Sequence, residues 1–364
     1  MRHYDIPLVP GPVTVPAEVL AARAQDYGSA DLEPEFCDLY RDTAGHLGRI
    51  MGTRNQVVIA LGEAMGVLWG AVKSGLMAGD RVLCVASGLF GHGFADMARV
   101  VGADARVVAC PSDAVPDPDE VARAAREYRP TLVTMVHCET PSGTLTPVAA
   151  VGARLREAAP DALFLVDAVA SLGGAPLDVD GAGIDLCLLG TQKCLAAPPD
   201  LGIVAVSGRA WAKIERVGYE GYDALAPLRH AAEERYFPYT HSWQAVAGLD
   251  VACRRLLDEG MEHVYARHAR VARGWRDAIR ACSLDLFPRR EADCSPTVTA
   301  VTVPERLGWA ELDRRLRARG MVVGGNYGDL AGRVFRIGHM GTQATDELLE
   351  RGAAVLREAV GRGA

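Results

Sequence analysis

"ALFLVDAVASLGGAPLDVDGAGIDLCLLGTQKCLAAPPDLGIVAVS", residues 162–207, decides the reading of the whole chain. It holds three short apolar runs, "ALFLVDAV", "IDLCLLG" and "GIVAVS", cut by Gly, Pro and Asp, with no clean alternation of polar and apolar residues. Strands of that kind are buried on both faces, so helices should cover the sheet on either side. Working outward, the pattern holds from about Gln56 to Ser207. "RVLCVAS", "ARVVAC" and "TLVTMVHCE" read as strands, while "GHGFADMARVVG", "PDEVARAAREYRP" and "PVAAVGARLREAAP" between them read as helices. Strand–helix alternation implies an α/β fold with a mostly parallel sheet, whose ligands bind beyond the carboxyl ends of the strands.

The bulk numbers agree with a globular chain. Of 364 residues 49% are hydrophobic and 23% charged, which suggests one large and one smaller domain. The formal net charge of −7 offers no basic footprint, so neither nucleic acid nor an anionic membrane is expected as a partner. No apolar run reaches the ~20 residues of a membrane span, and "MRHYDIPLVPGPVTVP" lacks a signal-peptide core, so the expected location is cytoplasmic. Nine scattered cysteines without Cys-x-x-Cys or zinc spacing read as free thiols, with no metal expected. The glycines near "GLFGHG" lack the spacing of a dinucleotide fingerprint.

Beyond Trp211 the pattern changes to a loop-rich stretch, then one long helical pattern from about Gln244 to Arg280, then smaller strands and helices. The expected organisation is an N-terminal segment 1–15, a large domain 16–250 and a small α+β domain 251–364.

Two residues in the opening stretch carry chemistry. Asp167 ends "LFLVD" and Lys193 follows "LCLLGTQ", so neighbouring strand ends place both at one sheet edge. The chain has 39 basic residues of which only Lys73, Lys193 and Lys213 are lysine, and only a lysine amine can lose its proton and attack a carbonyl. An acid able to keep a heteroaromatic nitrogen protonated, beside an imine-forming lysine, is the minimum set for pyridoxal phosphate chemistry. Taken singly, each has a plainer reading, as a helix cap or as a solvated strand end.

With "VDAVASLGG", "GTQKCLAAPPDLG" and "FRIGHMG", and from "LVPGPVTVP" onward, the chain resembles the class V group of fold type I pyridoxal-phosphate aminotransferases, near the alanine–glyoxylate and serine–pyruvate enzymes. The resemblance implies a large cofactor domain, a small C-terminal domain and a homodimer with shared active sites. It makes Lys193 the Schiff-base lysine and Asp167 the partner of the pyridine nitrogen. It puts Gln192 on the cofactor phosphate, Phe90 of "SGLFGHG" on the ring face and Thr140 of "HCETPSG" near the phenolic oxygen. Thr240 of "FPYTHSW" matches a threonine that reaches the partner's phosphate, and Arg336 the arginine that takes the substrate α-carboxylate. Thr191 stands where Ser is usual, Pro141 where Ser is commoner, and His241 and Ser242 where Pro often follows the threonine.

The main departure is "LGEAMG", residues 61–66, at the family's phosphate loop. Gly62, Ala64 and Met65 can still offer backbone N–H groups at a helix start, but Glu63 replaces a hydroxyl. A carboxylate beside a phosphate dianion is unfavourable. Either Glu63 points elsewhere, or it has a role toward substrate that ordinary members lack.

His137, His241 and His339, with Cys138 and Cys194, lie near these segments and read as structural. The expected function is transfer of an amino group from alanine or serine to glyoxylate or pyruvate. A lyase, desulfurase or decarboxylase on the same fold is the first alternative, and a catalytically idle binding protein the second.

Overall fold

The structure, a computed structural model, describes residues 4–361. Its centre is a seven-stranded sheet in the order Gln56–Leu61, Leu201–Val206, Leu186–Gly190, Leu163–Asp167, Leu132–Val136, Arg81–Ala86, Asp104–Ala109. The strands Leu132–Val136, Leu163–Asp167, Leu186–Gly190 and Leu201–Val206 are buried at every residue, as their unbroken apolar runs require.

Leu201–Val206 runs antiparallel to both its neighbours, while the other adjacent pairs in the sheet are parallel. Its direction follows from the connection before it. Residues 191–200, which include Lys193, are too few for a crossover helix, so the chain turns straight back.

The parallel strands and Gln56–Leu61 therefore point the same way, and their following loops gather at one edge: Gly62–Glu63, Ser87–Phe90, His137–Thr140, Ala168–Ala170 and Thr191–Lys193. The helix Ala64–Gly75 packs against Leu201–Val206 closely enough that a Cβ on Gly202 would lie 2.5 Å from Val67 Cβ. This contact sets the helix N-terminus over the edge.

The long helical pattern expected over 244–280 is two helices, Trp243–Glu259 and Met261–Ala281, broken at Gly260, whose φ is +82°. Glycine takes that conformation without the Cβ clash that penalises other residues. Cys253, Leu256 and, past the break, Val264 bury into the core around the large sheet, whereas Val271, Trp275 and Ile279 bury into a second core with Leu316, Phe335 and Leu356, so the change of core falls within the second helix. Residue 250, the expected domain limit, lies inside the first of these helices.

The second core is built on the strands Val298–Thr302 and Val334–Gly338 and on Ile6–Leu8, which pairs in parallel with Met321–Val323. The N-terminal segment thus joins the C-terminal body. From there it crosses the edge of the large sheet, where Val13 N–H donates to the Gln192 carbonyl.

Candidate active site

Two cavities meet at the sheet edge. One, of about 390 Å³, is lined by Glu63, Phe90, Thr140, Asp167, Gln192 and Lys193 among others. The other, of about 360 Å³, is lined by Pro10, Trp309, Tyr327 and Arg336 and shares Phe90, Thr140 and Lys193 with the first. Lys193 therefore stands at their junction.

Asp167 closes its strand buried, with Oδ1 accepting from Val169 N–H at 2.9 Å. Burial pushes its carboxyl up to about 6, against the pull of the Val169 N–H and the Lys193 charge. A protonated ring nitrogen placed against it would supply the counter-charge that burial withholds. Lys193 is shifted the other way: burial and then the Arg336 guanidinium lower it, so the free amine is easier to reach. Its Nζ donates to the Pro10 carbonyl. Gly11 leaves room for this, since a Cβ there would lie 2.5 Å from Lys193 Cδ.

Arg336 sits in Val334–Gly338, 4% exposed, with Nε donating to the Gly325 carbonyl at 2.7 Å and its guanidinium 4.8 Å from the Tyr327 ring centre. Among the described residues no carboxylate pairs with it. A buried cation without a counter-ion is costly unless an anion arrives, and the cavity in front of it is where one would enter.

Glu139 received no role in the sequence reading, although it adjoins Thr140. It is fully buried and accepts from Gly91 N–H at 2.7 Å and Phe90 N–H at 3.4 Å. The helix Leu89–Val100 therefore begins earlier than the expected Gly91, capped by a carboxylate from another strand, and this holds Phe90 against both cavities. Burial pushes Glu139 up to about 7. Tyr327, Trp309 and Pro10 were also missed, because each comes from the second body or the terminus folded onto it.

The histidines serve the scaffold. His137 Nδ1 contacts Ser171 Oγ at 2.9 Å, His241 Nε2 meets the Ile59 carbonyl at 3.1 Å, and His339 lies between Thr299 and the Pro296 carbonyl. Burial pushes the Cys138 thiol up to about 11 and Cys194 up to about 12, so both stay protonated and poor nucleophiles near neutrality.

A pyridoxal ring fits the larger cavity: an acid at one end, an amine at its mouth, the Phe90 ring and Val169 on its walls, and the buried Thr140 beside them. A 5′-phosphate does not. Glu63 turns inward, with Oε2 accepting from Met65 N–H at 2.8 Å and Oε1 from Gln192 Nε2 at 2.5 Å. Two of the donors expected for the phosphate, Met65 N–H and Gln192 Nε2, are engaged by this carboxylate, and Gly62 N–H donates to the Asp200 carbonyl at 2.9 Å. Thr240 lines neither cavity of its own subunit and donates its hydroxyl to Asp31 Oδ2 at 2.9 Å. Of the eleven site residues expected from sequence, ten thus collect around the two cavities or their phosphate loop, and Thr240 does not.

The family model for aminotransferase class-V matches residues 28–331. The chain is 34% identical over 357 residues to pyridoxamine–pyruvate transaminase of Mesorhizobium japonicum, covering 94% of this chain and 88% of that one. Identity to serine–glyoxylate aminotransferase of Methylorubrum extorquens is 32% over 348 residues, covering 92% and 85%. The crystal structure of pyridoxamine-pyruvate aminotransferase from Mesorhizobium loti superposes with a TM-score of 0.94 at 32% identity, covering 100% of this chain and 94% of that one. A cysteine desulfurase from Thermococcus onnurineus matches with a TM-score of 0.76 at 14% identity, a likeness of fold alone.

Proposed function

The chain belongs to the class V aminotransferases, a pyridoxal-phosphate-dependent family of fold type I, and on that premise we propose that it passes an amino group to a short 2-oxo acid of the pyruvate or glyoxylate kind. The observation that carries this reading is Lys193 at the junction of two cavities, one ending on Asp167 and the other on the buried Arg336, which no carboxylate pairs among the described residues.

The roles follow from placement. A pyridoxal ring, when bound, supplies an electron sink for the carbanion left when a proton leaves the carbon that bears nitrogen. Asp167 would keep the ring nitrogen protonated. Lys193, held as a readily deprotonated amine, would take that proton and return it to the carbon on the other side of the nitrogen. Arg336 would bind the α-carboxylate through its terminal guanidinium nitrogens while Nε stays on Gly325 and Tyr327 lies alongside, which fixes which face of the substrate meets Lys193. Phe90 and Thr140 wall the reacting region from both cavities.

Alanine or serine fits as amino partner in the cavity before Arg336, which Trp309 and Tyr327 bound. Pyridoxamine is a second donor, favoured by the Glu63 carboxylate at the phosphate position.

A division of the chain within the helix Met261–Ala281 is supported by the cores, since Val264 buries with the large sheet and Val271 with the smaller body, to which Ile6 and Leu8 also belong. A homodimer is supported by Thr240 facing away from its own cavities and by Leu61 and Met65, 42% and 41% exposed beside the phosphate loop. A cytoplasmic enzyme accords with the absence, among the described residues, of a helix long and apolar enough to cross a membrane.

The test is Lys193→Ala with nitrogen accounting. The wild-type protein consumes donor and forms product amino acid in equal amounts without free ammonia, and the variant does neither. Full transamination by the variant, or ammonia release by the wild type without an acceptor, refutes the reading.

A further inference from the structure

The phosphate loop has the backbone of an anion site and the side chain of an anion. Gly62, at φ +129°, turns the chain into the helix Ala64–Gly75, whose N-terminus faces the larger cavity. Such a start offers free N–H groups to a phosphate. Here Met65 N–H is taken by Glu63 Oε2, and Gly66 and Val67 N–H bond the Glu63 carbonyl. Gln192 Nε2 is taken by Glu63 Oε1, and Thr240 by Asp31. Lys193 is the only cation among the residues lining this cavity, and it is committed to the aldehyde or amine end of the ligand. A phosphate dianion entering would meet a fixed carboxylate, lose its donors and find no counter-charge.

We infer that this chain takes its pyridine ligand without the 5′-phosphate, with unphosphorylated pyridoxamine and pyridoxal entering and leaving as substrate and product, and that Glu63 sets this choice. The inference rests on the aminotransferase reading and deepens it. A 5′-hydroxyl, unlike a phosphate, can donate a hydrogen bond to the Glu63 carboxylate, so the same group that repels one form accepts the other.

The reaction is balanced by its two substrates. The amine nitrogen leaves the exocyclic methylene carbon of pyridoxamine for the 2-oxo carbon of the acid, and the oxo oxygen goes to the pyridine-bearing carbon by exchange with water. The methylene carbon is oxidised by two electrons and the 2-oxo carbon reduced by two. The proton lost from the first is carried by Lys193 Nζ to the second. With pyruvate as acceptor the products are pyridoxal and alanine, and no outside oxidant is needed.

The experiment titrates the purified full-length protein with pyridoxal and, separately, with pyridoxal 5′-phosphate, reading the visible absorbance of the lysine-bound form and equilibrium dialysis. Like charges set together predict that the wild type favours pyridoxal at least ~10-fold. Glu63→Ser keeps a side-chain oxygen to cap the helix. It should raise affinity for the phosphate ester at least ~10-fold, and Glu63→Gln, which keeps the size and removes the charge, should move in the same direction. Thermal melts and circular dichroism spectra matching those of the wild type show that both variants fold, and their pyridoxal affinity should fall as the carboxylate acceptor of the 5′-hydroxyl is lost. Wild-type protein that binds the phosphate ester as tightly as pyridoxal, or variants that gain nothing for it, overturn the inference while leaving the aminotransferase reading intact. Binding of neither form by the wild type overturns both.

Discussion

Replacement of Arg336 by methionine tests whether this buried cation is a carboxylate seat. Arg336 is 4% exposed, gives Nε to Gly325, hydrogen-bonds the Tyr327 side chain and has no acidic partner among the described residues, so its charge is unmatched until a carboxylate binds. A hydrogen bond to a charged group contributes about 1.5–3 kcal/mol, so losing a bidentate pair removes about 3–5 kcal/mol. At about 1.4 kcal/mol per factor of ten, kcat/KM for the 2-oxo acid should fall between about 100-fold and 4,000-fold. Arg336→Lys retains one point donor and should lose about half as much in free energy. Initial rates across a concentration series of pyruvate or glyoxylate give the number, and absorbance titration with pyridoxal, which carries no carboxylate, supplies the control. Removing a buried unpaired charge should leave the ligand-free fold at least as stable in thermal melts. A methionine variant with kcat/KM within about threefold of wild type, or an equal loss of pyridoxal binding, refutes the assignment.

Three further perturbations probe the supporting geometry. Asp167 is raised from 3.8 to about 6, so the folded state holds its proton more tightly than the unfolded one; that stability is complete below about pH 4 and is lost as pH rises through 6. In ligand-free protein Asp167→Asn should therefore be more stable than wild type at pH 8, by at most ~3 kcal/mol, and equal to it near pH 4; urea melts with the same difference at both pH values refute this. Glu139→Ala removes the acceptor of Gly91 and Phe90 N–H and should cost ~1–3 kcal/mol in urea melts and weaken pyridoxal binding, while Glu139→Gln retains most of both. Gly11→Ala puts a Cβ 2.5 Å from Lys193 Cδ at a φ of +82°, so kcat should drop more than ~10-fold; unchanged turnover would mean that the terminal segment does not position the lysine.

The parts of the site that could be read in advance are those where local pattern and position coincide. Asp167 and Lys193 each follow directly from a buried apolar strand, and parallel neighbours must end at the same edge. Arg336 had no such signal, since an arginine in a strand is commonly a surface residue; the resemblance of "FRIGHMG" identified it. Glu139 was passed over because its partners, Phe90 and Gly91, lie nearly fifty residues upstream. The break at Gly260 was invisible because apolar residues continue at helical spacing on both sides of it. The antiparallel strand Leu201–Val206 was legible in principle, because the stretch 191–200 is too short for a crossover.

By itself the sequence determined the fold class, the pyridoxal-type chemistry of Asp167 and Lys193, and the anomaly at Glu63. All of these depend on residue type and short spacing. Only the tertiary structure decided what the anomaly means. Gln192 reaches Glu63 across 129 residues of chain, Pro10 reaches Lys193 across 183, and Asp31 reaches Thr240 across 209. Whether a carboxylate faces a cavity or turns from it depends on which donors surround it, and those donors come together only when the sheet edge closes.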